Sequence, residues 1–181
     1  YDEFGSPISD PTGSATLNAL PAGESIVDTF DYIVADTGSG RDTGTVSVTV
    51  NGVNDAPTVF TGFGPTFTEF EELTASDTVD FDDVDLGDLI DLTFVYNNDY
   101  AGSSSVETAL VDGFSLPAVT DAPPGQATWT YDATGVDVSF LEDGETIDWS
   151  YTITATDSSG ASDSIQVYFT IVGATEDPGL M

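Results

Sequence analysis

The chain has 181 residues, with 33 Asp and Glu against a single cationic side chain, Arg41, a formal net charge of −32, and no His or Cys. Nucleic acid and anionic membranes both demand clustered cations, so neither is expected as a partner. No Ser-His, Cys-His or Lys Schiff-base arrangement can be built, so only carboxylates remain for acid-base work and the chain reads as a non-enzyme.

In chain order, residues 1–14 are irregular. Alternation begins with Phe30, Tyr32 and Val34 and resumes with Val46, Val48 and Val50. Period two in β-branched and aromatic residues predicts strands. Further strands are expected at Thr66 to Phe70, Thr78 to Phe81, Ile90 to Tyr96, Ala127 to Tyr131 and Val136 to Phe140, with a short helical turn at Ser105 to Val111. Two more follow, one through Trp149, Tyr151 and Ile153 and one through Ile165, Val167, Phe169 and Ile171. Turns rich in Gly, Asp, Asn, Ser and Pro separate them. Seven or so strands in about 120 residues predict an all-β fold, an Ig-like or cadherin-like antiparallel sandwich. No apolar run approaches the ~20 residues of a membrane span, and no signal peptide is visible.

Residues 20–57 recur without a gap 121 positions later as residues 141–178, with ten of 38 positions identical, among them Gly23/Gly144, Glu24/Glu145, Asp36/Asp157, Asp42/Asp163 and Gly52/Gly173. A fixed-period self-similarity marks an array of like modules, here of domain size. The expected organisation is therefore residues 1–57 as the C-terminal part of one repeat, 58–178 as a complete repeat, and 179–181 as the start of the next linker. The only Met is Met181, so the chain is expected to be a segment of a longer polypeptide. The first repeat's sheet edge would need a cover, such as a strand donated by another copy or docking on the second domain.

Acidity on this scale destabilises a compact state unless counter-ions bind it or salt screens it. On a sandwich, the loop Asp82-Asp83-Val84-Asp85-Leu86-Gly87-Asp88 and the turn at Asp157 should meet at the pole where the chain enters, beside Asn54 and Asp55. Glu24 of the preceding repeat should converge on the same linker. Hard oxygens without thiolate or imidazole select Ca²⁺, with about six to eight ligands. A second site is expected at the far pole from Glu71 or Glu72, Glu145, Glu176 and Asp177, and Asp36 and Asp42 would belong to a third. The loop is not an EF-hand, since Asp83 and Asp85 lack the third loop aspartate and the Glu at position twelve.

The strings LPAGES, FDYIVAD and VSVTVNGVNDAP resemble the tail of the VCBS and cadherin-like repeats of very large bacterial surface adhesins, including the RTX type, and FDDVDLGD resembles the acidic loop near the head of those repeats. NDAPTVF is similar to the calcium linker of cadherins. The resemblance implicates Asn54, Asp55, Asp83, Asp85 and Glu24 as shared ligands and implies extracellular, calcium-stiffened spacer modules on a prokaryotic cell surface. The second copy departs from it, ending Ala174-Thr175-Glu176-Asp177-Pro178. Zero cysteine suits export by a prokaryote, and the acidity suits a marine or saline setting.

Three functions compete at this point. A structural extender of a surface filament has neighbouring repeats, or other copies of itself, as partners. A binding module would use exposed aromatic rings on glycans, with Tyr100 and Tyr96 as candidate contacts, although aromatic residues on strands generally fill the core. An aspartic protease is suggested only by Asp36-Thr37-Gly38-Ser39, whose repeat partner Asp157-Ser158-Ser159-Gly160 loses the glycine at the third position. Two such carboxylates in successive modules, each spanning about ten residues of strand at ~3.3 Å, lie too far apart to share a proton.

Overall fold

The computed structural model describes residues 15–102 and 105–175. Among them the fold is all-β, its strands joined antiparallel except for one short parallel pair. The described residues divide into two compact units, residues 15–55 with 84–88, and residues 56–83 with 89–175.

The first unit holds a short helix α1 (Ala15–Asn18) and one hairpin, β1 (Ser25–Ala35) and β2 (Arg41–Asn51). The strands pair antiparallel from Ser25↔Asn51 to Ala35↔Arg41, which sets Phe30 opposite Val46 and Tyr32 opposite Gly44. Phe30, Tyr32, Val34 and Val48 remain exposed on this hairpin.

The second unit comprises β3 (Thr58–Thr61), β4 (Thr66–Thr68), β5 (Thr74–Asp82), β6 (Ile90–Tyr96), α2 (Glu107–Val111), β7 (Phe114–Ser115), β8 (Val119–Asp121), β9 (Gly125–Asp132), β10 (Thr146–Thr156) and β11 (Ser162–Val172). Its sheets run β4-β11-β10-β6-β8 and β3-β5-β9-β7. Alternate residues of both sheets point inward, and the core is strongly aromatic: Phe114 stacks on Tyr151 at 4.3 Å, Trp149 on Phe169 at 5.4 Å, and Tyr131 tilts against Phe169 at 4.7 Å. Each such ring removed from water contributes about 1.5–3 kcal/mol. β10 and β11 pair from Thr146↔Val172 to Thr156↔Ser162, the register of β1 and β2 shifted by 121. The same backbone unit thus occurs twice, with its apolar face buried only in the second unit.

Three expectations are corrected. Val136 to Phe140 is not a strand; the Asp137 carboxylate accepts from both Ser139 N and Ser139 Oγ, a local turn that competes with ladder pairing. The strand expected over Thr66 to Phe70 stops at Thr68, whose N–H donates to the Glu71 carboxylate. The helical turn over Ser105 to Val111 forms only from Glu107.

Candidate metal centre

Strand β5 ends in Asp82, whose Oδ1 accepts the Asp83 N–H at 2.9 Å and so begins a turn in place of further pairing. The chain reverses at Gly87, with φ of +90°, and Leu89 N donates to Ser158 Oγ at 3.0 Å just before β6. Strand β10 ends in a tight turn organised by Asp157, whose Oδ1 accepts from Ser159 N at 2.9 Å and Ala161 N at 2.8 Å while its own N–H donates to Ala161 O. These local turns bring carboxylate oxygens of Asp83, Asp88 and Asp157 within 4.8 Å of one another. Asp88 and Asp157 are buried, 8% and 6% exposed, and Asp83 is half-buried.

Three carboxylates this close, two of them withdrawn from water, repel one another unless a cation compensates. The chain's one cationic side chain, Arg41, is exposed at the start of β2. Oxygens bound to one Ca²⁺ at about 2.3–2.6 Å lie at most about 5 Å apart, so the spacing and the all-oxygen donor set fit that ion.

The other expected ligands are placed differently. Asp85 is 2% exposed and its Oδ2 accepts the Asp55 N–H at 2.7 Å, so the two aspartates of the D-x-D string serve different partners. Asn54 Nδ2 donates to Asp55 O at 2.7 Å. Asp36 shapes the β1–β2 turn as Asp157 shapes its own, Oδ1 accepting from Gly38 N at 2.8 Å and Gly40 N at 2.7 Å. The D-T-G-S string is thereby accounted for as a strand-connecting turn, and Asp42 is likewise exposed and accepts the Thr43 N–H. Glu24, Glu72 and Glu145 are exposed, and Glu145 accepts the Glu142 N–H at 3.0 Å. Glu176 and Asp177 lie outside the described residues.

Sequence reasoning missed two carboxylates with structural duties. Glu69 accepts the Ala174 N–H at 3.1 Å, and Asp163 accepts the Val59 N–H at 3.1 Å, tying the first strand of the second unit to its last. For Glu69 the available signal was the run Glu69-Phe70-Glu71-Glu72, in which the outer carboxylates look alike, and for Asp163 it was the repeat identity with Asp42. Tyr96 and Tyr100 are partly buried against the core; the Tyr96 hydroxyl donates to Glu107 Oε1 and accepts from Tyr100 N at 3.1 Å. Burial pushes both phenols above their ordinary pKa.

No protein-family model matches the chain, and no curated protein matches it. Among solved structures it is similar to protocadherin gamma B2 extracellular cadherin domains 3–6, at 14% identity and a TM-score of 0.45, over 80% of this chain and 31% of that one. A sialic acid binding region of a Streptococcus sanguinis SK1 adhesin, bound to 3'sLn, gives 19% identity and a TM-score of 0.38 over 80% and 37%. The Ig1-2 module of the Drosophila receptor protein tyrosine phosphatase DLAR gives 12% identity and 0.40 over 68% and 53%. The chain spans about a third of the first two.

Proposed function

We propose that this chain is a calcium-stiffened structural extender of an extracellular adhesin or surface filament, built of tandem β-sandwich repeats bridged by Ca²⁺. On this reading residues 58–178 are one complete repeat, residues 1–57 end the preceding one, and the setting is a prokaryotic cell surface in saline surroundings. The observation that carries the proposal is the group Asp83, Asp88 and Asp157, two of them buried, in a chain with one cationic residue. A bound ion would add positive charge among these carboxylates and would be held jointly by the β5–β6 loop and the β10–β11 turn. The chain's own contribution is to fix those carboxylates in advance: Asp82 and Asp157 each accept backbone N–H groups, so the loop and the turn hold their shapes through protein hydrogen bonds.

The test is a thermal melt with calorimetric titration, first in EDTA and then with Ca²⁺ or Mg²⁺ restored. The proposal expects a marked rise in Tm with Ca²⁺ and little with Mg²⁺, which keeps its waters and tolerates only near-octahedral geometry. An identical melt in EDTA and in millimolar Ca²⁺ would refute it, leaving the acidity as a salt-adapted surface.

A strand-exchanging fibre subunit is the second reading, favoured by one observation. The apolar face of β1–β2 is exposed, whereas the same face of β10–β11 is fully covered. Another copy of the chain supplying that cover would produce concentration-dependent assembly, and a sedimentation profile unchanged over a wide range of concentration would discard this reading.

A further inference from the structure

A groove of about 730 Å³ lies on the second unit where the chain crosses from β3 to β4, facing β11. The crossing segment is Gly62-Phe63-Gly64-Pro65. It is held firmly: Thr170 N donates to Pro65 O at 3.2 Å, Thr66 and Thr170 are parallel partners, and a Cβ on Gly64 would stand 1.5 Å from Tyr168 O. The two walls therefore cannot slide past one another without breaking the sheet edge. Phe63 stands wholly in solvent on one wall, and Tyr168, 57% exposed, stands on the other, its hydroxyl donating to Gln166 Oε1.

The lining contains no Asp, Glu, Lys or Arg, although 33 of the 181 residues are acidic. No carboxylate belongs to the lining itself, although Asp148 Oδ1 accepts from the Thr170 hydroxyl at 2.7 Å and Asp77 stands beside Gly62, and an anion is repelled by the field of a chain at −32. What the groove offers is two aromatic faces with polar groups from Thr152, Ser164, Gln166 and Thr170; the Thr152 and Thr170 hydroxyls already donate to Asn97 Oδ1 and Asp148 Oδ1 and so face a ligand as acceptors. That pairing of apolar platforms with a few polar groups marks a binding groove of ordinary ligand size. It matches a neutral sugar, whose C–H face packs on a ring while its hydroxyls exchange hydrogen bonds. An extended peptide adding to β11 fits less well, because strand addition uses a row of open backbone groups and the crossing segment already lies against Tyr168 O and Thr170 N.

We infer that the groove between Phe63 and Tyr168 is a binding site for a neutral oligosaccharide, separate from the carboxylate cluster. The test titrates the ¹⁵N-labelled full chain, in Ca²⁺ and again in EDTA, with cellotetraose, maltotetraose, laminaritetraose and chitotetraose. Sialyllactose serves as the anionic comparator and a neutral β-strand peptide as the competing class. At least one tetrasaccharide is expected to give saturable amide shifts confined to residues 61–66 and 164–170. Phe63→Ala and Tyr168→Ala should each weaken that binding about tenfold or more without moving the melting temperature. Four outcomes would overturn the assignment: no saturable shift from any tetrasaccharide at about 10 mM, shifts elsewhere on the chain, indifference to both substitutions, or tighter binding of sialyllactose or the peptide.

Discussion

Ser39 and Gly160 hold the same left-handed corner of two turns that lie 121 residues apart in sequence, at φ of +72° and +92°. Around each, an aspartate accepts the N–H groups two and four positions on. Glycine adopts this conformation without steric penalty, while an L side chain does so at a cost of about 1–2 kcal/mol. Ser39→Gly should therefore stabilise the β1–β2 hairpin by about 1 kcal/mol, and Gly160→Ser should destabilise the second unit by a similar amount. Amide exchange across residues 25–51 reads the first, and a thermal melt reads the second.

Tyr131 and Tyr151 are both buried, yet their hydroxyls differ. The Tyr151 hydroxyl donates to Val111 O at 2.5 Å, whereas that of Tyr131 has no hydrogen-bond partner among the described residues. Tyr131→Phe should raise stability by about 1 kcal/mol because an unsatisfied buried polar group is removed, and Tyr151→Phe should lower it by about 1–2 kcal/mol because the Val111 carbonyl loses its donor. Equilibrium denaturation of the two variants decides the signs.

The same phenols set an alkaline limit. Burial pushes both far above the ordinary value of 10.0. The fold thus favours the neutral form, and the stability this confers is complete below pH 10 and is lost as pH rises from there towards the folded-state values. Unfolding above pH 10 is expected, and its onset should move upward in Tyr131→Phe. An onset unchanged by that substitution would contradict this assignment.

Neutralising one carboxylate of the cluster should act in opposite directions with and without the ion. In EDTA, Asp88→Asn relieves repulsion among Asp83, Asp88 and Asp157, and Tm should rise by a few degrees. In saturating Ca²⁺ the same variant loses a ligand, and Tm should fall below the wild type. An ion held at about a hundredfold above its Kd contributes about 2.7 kcal/mol, ample for the two effects to be separated. Melts of both proteins in both buffers are the measurement.

Much of the fold is legible in the sequence because alternation and the 121-residue offset report on the same strands. Ile90 to Tyr96 is a strand to the residue, and the hairpin registers follow from the gapless repeat. Three strands left no such trace. β3, β7 and β8 have four, two and three residues, too short to show alternation, and β7 and β8 fall in the stretch where neither the repeat nor the pattern is clear. At the acidic loop, the sequence offered Asp83, Asp85, Asp88 and Asp157 as candidates but could not say which of them come together. Whether Asp83 faces Asp85 or Asp88 depends on the turn at Gly87, and spacing alone cannot fix that dihedral.

Repeat-related positions should also differ sharply in what they contribute. Val48 is 46% exposed, while its counterpart Phe169 is fully buried. Phe169→Ala should cost about 3–5 kcal/mol, and Val48→Ala should stay within about 0.5 kcal/mol. Comparable losses at the two positions in a denaturant series would mean that the first hairpin is covered in solution.

The parallel pairing of Thr66–Thr68 with Thr170–Val172 has a mechanical meaning. Tension applied through residues 56 and 175 draws the start of β4 and the end of β11 in opposite directions along the strand axis. The inter-strand bonds are then loaded together in shear instead of being peeled one at a time, so the second unit resists pulling from its ends better than its short first strands suggest.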